Sequence, residues 1–372
     1  MDYNCYASCA FGVEGVLAWE LRGLDVQDVR ASDGRVYFRG DERTVARVNI
    51  WARTADRVYI ILAEFDARSF EQLYDEVHSI AFEDWLPQDA ALPVSGNAVQ
   101  SDLMSVSDIQ SITKKAVVDA MHRKYREERL PESGQRFHLY ANNFRNHFTI
   151  ALDTSGAGLN RRGYRLKNVA APLRETLAAA LILIARWKHR DFFDPMCGGG
   201  TIAIEAAMIA ANLAPGLRRR FDAQTYSESF AEAFAEVRTE AEHAIRVPSM
   251  HIHASDRNPE SVAIAEEHAR NAQVLEWIKF RVADIADFVQ PTCPACVITN
   301  PPYAVRLGDR KAVDELYKTM GRVLRPLEDT VCFYLCESHQ FERFYGEKAD
   351  RRRKLYNGNI QCTYYQYFRM RR

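Results

Sequence analysis

Apolar and polar positions along the chain follow two different periods, and the changes of period mark out its parts. Residues 3–10, 36–38 and 57–65 read as strands. Residues 12–21 read as a helix with Val13, Val16, Leu17 and Leu21 on one face, and residues 44–51 as a second helix. Together they predict a small α+β unit over residues 1–65. A second unit, residues 66–155, opens with a helix over 69–79 and a strand over 91–94. A helix over 108–125 follows, its apolar face made by Ile109, Ile112, Ala116, Val117 and Ala120; two strands, 137–142 and 147–152, end the unit. The segment 153–167 is rich in glycine and arginine, so residues 156–168 read as a linker.

From residue 169 onward strands and helices alternate, the pattern of a parallel sheet covered by helices. Strands are predicted to end at Asp194, Asp256, Thr299 and Cys336, with another over 278–282. Helices are predicted over 172–187, from 201 onward, over 259–271 and over 314–324. Residues 212–246 read as an insertion with a charged helix from Ser227. Asn357-Gly358 between two apolar runs predicts a closing hairpin.

Two stretches carry chemistry. In DFFDPMCGGGTIAIEAA a strand ends at Asp194, Gly198 to Gly200 form a tight loop, and Thr201 is placed to cap the next helix. Strand, glycine loop and helix N-terminus together make a nucleotide-cofactor site. The loop is neither GxGxxG nor a P-loop, which favours S-adenosylmethionine over NAD or ATP. Asp256, at the end of the second strand, is placed to accept from two ribose hydroxyls. It lies 62 residues after Asp194, a gap that the insertion accounts for. Asp284 follows the third strand and is placed to accept from an adenine amino group. Either carboxylate alone also suits a helix cap. Pro195, Cys197, Arg257 and Ile285 flank these positions and complete the expected cofactor pocket with Gly198, Gly200 and Thr201.

The second stretch is Asn300-Pro301-Pro302-Tyr303, after the apolar run 295–299. An exocyclic amine on a flat base is a poor nucleophile because its lone pair is delocalised into the ring. The amide oxygen of Asn300 and the carbonyl of Pro301 can both accept from such an NH2 group and turn its lone pair toward a methyl donor. Two prolines stiffen the loop, and Tyr303 offers a stacking face.

DPMCGGGTIAIEAA paired with TNPPY resembles the THUMP-domain RNA guanine-N2 methyltransferases, most closely the bacterial enzymes that act on 23S ribosomal RNA. The likeness runs over nearly the whole chain. SDLMSVSDIQSITKKAVVDAM resembles the THUMP domain itself. The resemblance implies a Rossmann-like α/β methyltransferase domain over 169–372, preceded by a ferredoxin-like plus THUMP module. It implies that Pro172 opens a segment closing over the methionine end of the cofactor, and that Lys114 and Lys115 contact structured RNA. Where the family usually has glycine after the tetrad, this chain has Ala304. Transfer RNA guanine-N2 methylation, adenine-N6 methylation and a non-catalytic role in ribosome assembly stay open as alternatives.

Composition adjusts this picture only slightly. A net charge of −1 over 372 residues argues against a uniformly basic nucleic-acid coat. Basic clusters at Arg161, Arg162 and Arg165, at 218–220, at 351–354 and at 369–372 can still meet phosphates locally. No run approaches the roughly 18 apolar residues of a membrane span. With eight cysteines and no signal-peptide pattern, the expectation is a cytoplasmic protein with reduced thiols. Cys293 and Cys296 form a CxxC without a second pair, so no metal site is expected.

Overall fold

The computed structural model describes residues 2–125, 130–165, 173–302, 310–338 and 340–368. Its strands form two seven-stranded sheets. The first contains β1 (Tyr3–Ser8), β2 (Gln27–Ser32), β3 (Arg35–Gly40), β4 (Arg57–Asp66), β5 (Val94–Val99), β6 (Leu139–Phe144) and β7 (His147–Asp153), in the order β2-β3-β1-β4-β7-β6-β5. Helices α1 (Glu14–Gly23), α2 (Glu42–Trp51), α3 (Phe70–Ser79) and α4 (Val106–Tyr125) belong to the same half. Helix α2 starts where Asp41 accepts from the Thr44 amide at 2.9 Å, and α3 where Ser69 accepts from that of Gln72 at 3.3 Å. Strand β4 pairs with β1 on one side and with β7 on the other. The two N-terminal units expected from the sequence therefore share one continuous sheet.

The second sheet contains β8 (Asp191–Asp194), β9 (Ile252–Asp256), β10 (Ile278–Val282), β11 (Ala295–Thr299), β12 (Thr330–Cys336), β13 (Arg351–Asn357) and β14 (Ile360–Phe368). Its order is β10-β9-β8-β11-β12-β14-β13; the first five strands are parallel, and β14 runs antiparallel to both of its neighbours, β12 and β13. Helices α5 (Glu175–Ala185), α6 (Thr201–Ala210), α7 (Glu228–His243), α8 (Pro259–Asn271), α9 (Arg310–Leu324) and α10 (Phe341–Tyr345) accompany it. Every residue of β11 and β12 is buried, which is why both read as unbroken apolar runs rather than alternating ones. Strand order reverses between β8 and β11, so the loops after these two strands open into one crevice.

Residues 156–165 of the expected linker form a strap anchored by buried side chains. Leu159 and Tyr164 are 1% and 3% exposed. The Arg162 guanidinium donates to the Leu159 carbonyl at 2.7 Å and to the Arg53 carbonyl, and pairs with Glu205 of α6 at 3.4 Å. Around it, the Asn49 side-chain amide of α2 donates to Thr154 at 2.9 Å and accepts from Ser155 at 2.7 Å. Arg43 of α2 reaches Glu236 at 2.7 Å and also Glu240, both on α7. The insertion is thus part of the surface on which the N-terminal half docks.

Candidate active site

Each side of the crevice is set by a strand end. At the end of β8, Asp194 is 1% exposed and accepts from the Thr299 hydroxyl of β11 at 2.7 Å. This bond ties the glycine loop to the loop that carries Asn300. Burial pushes the Asp194 carboxyl up to about 7 and the nearby Asp256 charge adds to the rise, against the opposing bonds from Thr299 and the Met196 amide.

The glycines divide the work. Gly198 has φ of 50°, and a Cβ there would meet nothing within 4 Å; the backbone borders open space. Gly200 has φ of 80°, but a Cβ there would lie 2.9 Å from the Ala265 Cβ of α8, so this glycine serves helix packing. It is also the residue before α6, which begins without a side-chain cap. Thr201 is therefore the first helical residue and not the expected cap. Its hydroxyl accepts from Arg165 at 2.7 Å. Cys197 is buried and burial holds its thiol well above the ordinary value, leaving a packing residue and no thiolate. Pro195 is buried beside it.

Asp256 accepts from the Gly198 amide at 3.0 Å through one oxygen and from the Asn258 amide at 2.9 Å through the other. Each oxygen keeps a second lone pair, so two ribose hydroxyls can still be received. Asp284 accepts from the Ala286 amide at 2.9 Å through Oδ1. Ile285 is 5% exposed and packs beside Val297, while Arg257 is exposed. Both carboxylates cap local turns and retain acceptor capacity, so the two sequence readings hold together.

After β11 comes the crevice's most informative atom. Oδ1 of Asn300 is buried and, among the described residues, accepts no hydrogen bond. A buried acceptor without a donor is costly and calls for an explanation. Pro301 is buried and Pro302 half-buried. Pro172, Tyr303 and Ala304 lie outside the described residues.

The basic residues sort differently from the expectation. Arg162 is buried and spent on Glu205, which excludes phosphate contact in this arrangement. Arg165, with its side chain 14% exposed, holds Thr201, the Leu173 carbonyl at 3.0 Å and Glu175 at 3.6 Å. Lys114 pairs with Glu132 at 2.8 Å, and Lys115 stands over the Tyr74 ring at 5.2 Å. Arg161 alone of the strap's three arginines is exposed. Cys293 donates to Asp191 at 3.1 Å, whereas Cys296 is buried in β11. Sequence reasoning missed two supports: Thr299, described above, and His268 of α8. The His268 Nδ1 donates to the Gly199 carbonyl at 3.0 Å. A lone histidine on an amphipathic helix gives no sequence signal for that role.

Comparison with known proteins supplies the family. Residues 162–366 match the family model for the RMKL-like methyltransferase domain, residues 4–59 that for the RlmL ferredoxin-like domain, and residues 67–153 that for the THUMP domain. YpsC of Bacillus subtilis (strain 168), named as a candidate RNA methyltransferase, is 37% identical over 98% of this chain and 96% of its own. The ribosomal RNA large subunit methyltransferase K/L of Cellvibrio japonicus (strain Ueda107) is 31% identical over 97% of this chain; the matched part is 50% of that longer enzyme. Among solved structures, SMU.472 complexed with SAH has a TM-score of 0.94 at 37% identity, covering 100% of this chain and 99% of that one. A Listeria monocytogenes protein, named as a predicted N6-adenine-specific DNA methylase, has a TM-score of 0.93 at 40% identity, covering 99% and 97%. Matched over more than half its length by the methyltransferase model and along its N-terminal half by the other two, the chain belongs to the RMKL-like family of S-adenosylmethionine-dependent RNA methyltransferases.

Proposed function

We propose that the chain methylates the exocyclic N2 of a guanosine in 23S ribosomal RNA, in the cytoplasm. The observation that carries this reading is the buried Oδ1 of Asn300 in the crevice, which has no donor among the described residues. An amine hydrogen of the target base supplies the missing donor. The Pro301 carbonyl takes the second hydrogen, so the amine is held with its lone pair turned out of the base plane. Stiff prolines keep both acceptors in place before the base arrives, and catalysis comes chiefly from this alignment.

S-adenosylmethionine, when bound, supplies the electrophilic methyl group. Gly198 would border it, Asp256 would receive its ribose and Asp284 its adenine amine. Pro172, Pro195, Cys197, Gly200, Thr201, Arg257 and Ile285 form the expected surroundings. Thr299 and Asp194 hold the two sides of the crevice in register. Once methylated, the nitrogen is cationic and acidic, so it sheds its proton without a dedicated base.

The THUMP match favours RNA, and the K/L relatives' name favours the large ribosomal subunit. Adenine-N6 methylation is the second reading, because an exocyclic amine has the same local geometry there and the Listeria neighbour carries that name. Nucleoside mass spectrometry of ribosomal and transfer RNA from a deletion strain separates the readings. The expected result is loss of N2-methylguanosine from 23S RNA. Loss of that nucleoside from transfer RNA, or of N6-methyladenosine, overturns the assignment. Unchanged nucleosides would point to a non-catalytic assembly role.

A further inference from the structure

The 351–354 basic cluster lies on β13, the edge strand of the catalytic sheet. Register locates it relative to the crevice. Thr299 pairs with Tyr334, and the last residue of β12, Cys336, pairs with Thr363. Leu355, Tyr356 and Asn357 of β13 pair with Cys362, Gln361 and Ile360. The β13–β14 turn therefore projects past the end of β12, on the side where Asn300 lies. From Thr299, Tyr356 stands about 14 Å across the sheet, three strand spacings, and about 13 Å further along the strand direction.

The N-terminal half meets this rim. The Arg353 Nε donates to the Gly12 carbonyl at 3.0 Å. Phe11, 59% exposed, presents its ring edge-on to Tyr356 at 6.4 Å. Lys354 stands over the Tyr356 ring at 5.3 Å and Arg351 over that of Phe368 at 5.7 Å. Arg352 is engaged by Glu342 at 2.6 Å, but among the described residues no carboxylate pairs with Arg351 or Lys354. Further along the same face of α1, one turn beyond Gly15, Trp19 is 60% exposed. A Cβ on Gly15 would lie 4.0 Å from the Arg353 guanidinium.

We propose that Phe11, Tyr356 and Lys354 form a contact site for an unpaired RNA segment flanking the target nucleotide. Exposed aromatic faces stack on bases of any sequence, and unpaired cations beside them take the backbone phosphates. Lys354 is exposed with no carboxylate partner among the described residues, which fits a polyanion, while the neighbouring Glu14 spends both carboxylate oxygens on the Gly12 and Gly34 amides. Its distance from Asn300 is one that an RNA strand leaving the crevice covers in a few nucleotides. The inference rests on RNA being the substrate and not on which base is methylated.

The test is the affinity of the full chain for protein-free 23S ribosomal RNA over a salt series. Variants are Phe11→Ala, Lys354→Ala and the double change, with Lys279→Ala on the opposite edge strand as control. The double variant is expected to bind roughly 10-fold more weakly or worse. Lys354→Ala is expected to lower the salt slope by about 0.7, the value for a single-stranded contact. Cofactor affinity and melting temperature should not move. Should Phe11→Ala impair folding, Lys354→Ala carries the test alone. RNA affinity within twofold of wild type in the variants overturns the site, as does an equal loss in Lys279→Ala. Because this readout is binding, a wrong base assignment leaves it unchanged.

Discussion

The seam between the two halves and the crevice at the switch point are both polar and both buried, yet they use their polar atoms in opposite ways. At the seam, charges and amides are spent on one another: Arg162 on Glu205, Arg57 on Asp153, Asn49 on Thr154 and Ser155. Even the atoms left without a hydrogen bond there, Arg53 Nη1, Arg219 Nη1 and Glu205 Oε2, belong to a cluster in which opposite charges attract. At the crevice, acceptors are held in place and left open. Asp256 is oriented by two amides and keeps spare lone pairs, while Oδ1 of Asn300 has no donor among the described residues. Charge and burial are therefore common to both regions; what differs is that the crevice holds its acceptors oriented and open.

Replacing Arg162 by Met tests the first half of the comparison. It strands Glu205 in the interior and should cost about 3–5 kcal/mol of stability, measured by chemical denaturation. RNA affinity of the folded fraction should stay unchanged. A stable variant with lost RNA binding would show that the seam arginine is a phosphate contact after all.

Asp256→Ala tests the second half. Removing an oriented carboxylate acceptor should weaken S-adenosylmethionine binding by about 1.5–3 kcal/mol, read by calorimetry, with RNA affinity unaltered. Wild-type cofactor affinity would refute the ribose assignment.

The smallest effect is a pH dependence. With its folded value raised from 3.8 to about 7, Asp194 favours the folded state below pH 4, and that contribution is lost as pH rises through 7. Between pH 6 and pH 8 the loss amounts to about 1.4 kcal/mol. Asp194→Asn should flatten the fall of melting temperature over this range by a few degrees. An identical pH profile in the variant would mean that the carboxyl is already ionised.

Much of this was legible in the chain itself. Strands β9, β10, β11 and β12 follow from short apolar runs, and the hairpin follows from Asn357-Gly358, where Gly358 adopts φ of 62°. Strand β2 was not legible: QDVRAS has no buried residue, and a register shift interrupts its pairing with β3. Helix α10 escaped too, since five residues cannot display a period; it is held by Phe341 and Tyr345 among Tyr334, Tyr365 and Tyr367. The strap was misread for a third reason. Glycine and arginine describe a linker only when the arginines lack buried partners, and Glu205, which meets Arg162, is 43 residues further along. The two halves meet along a buried seam, at Arg162–Glu205 and between α2 and α7, that no local composition announces.

Asn300→Ala addresses the central claim most directly. The measurement is single-turnover methylation of protein-free 23S ribosomal RNA with cofactor and RNA both saturating, which separates chemistry from binding. The account predicts a fall of roughly 100-fold or more in the chemical rate, the scale of losing one preorganised polar group, with both affinities near wild type. An unchanged single-turnover rate, or a loss explained entirely by weaker binding, would contradict it.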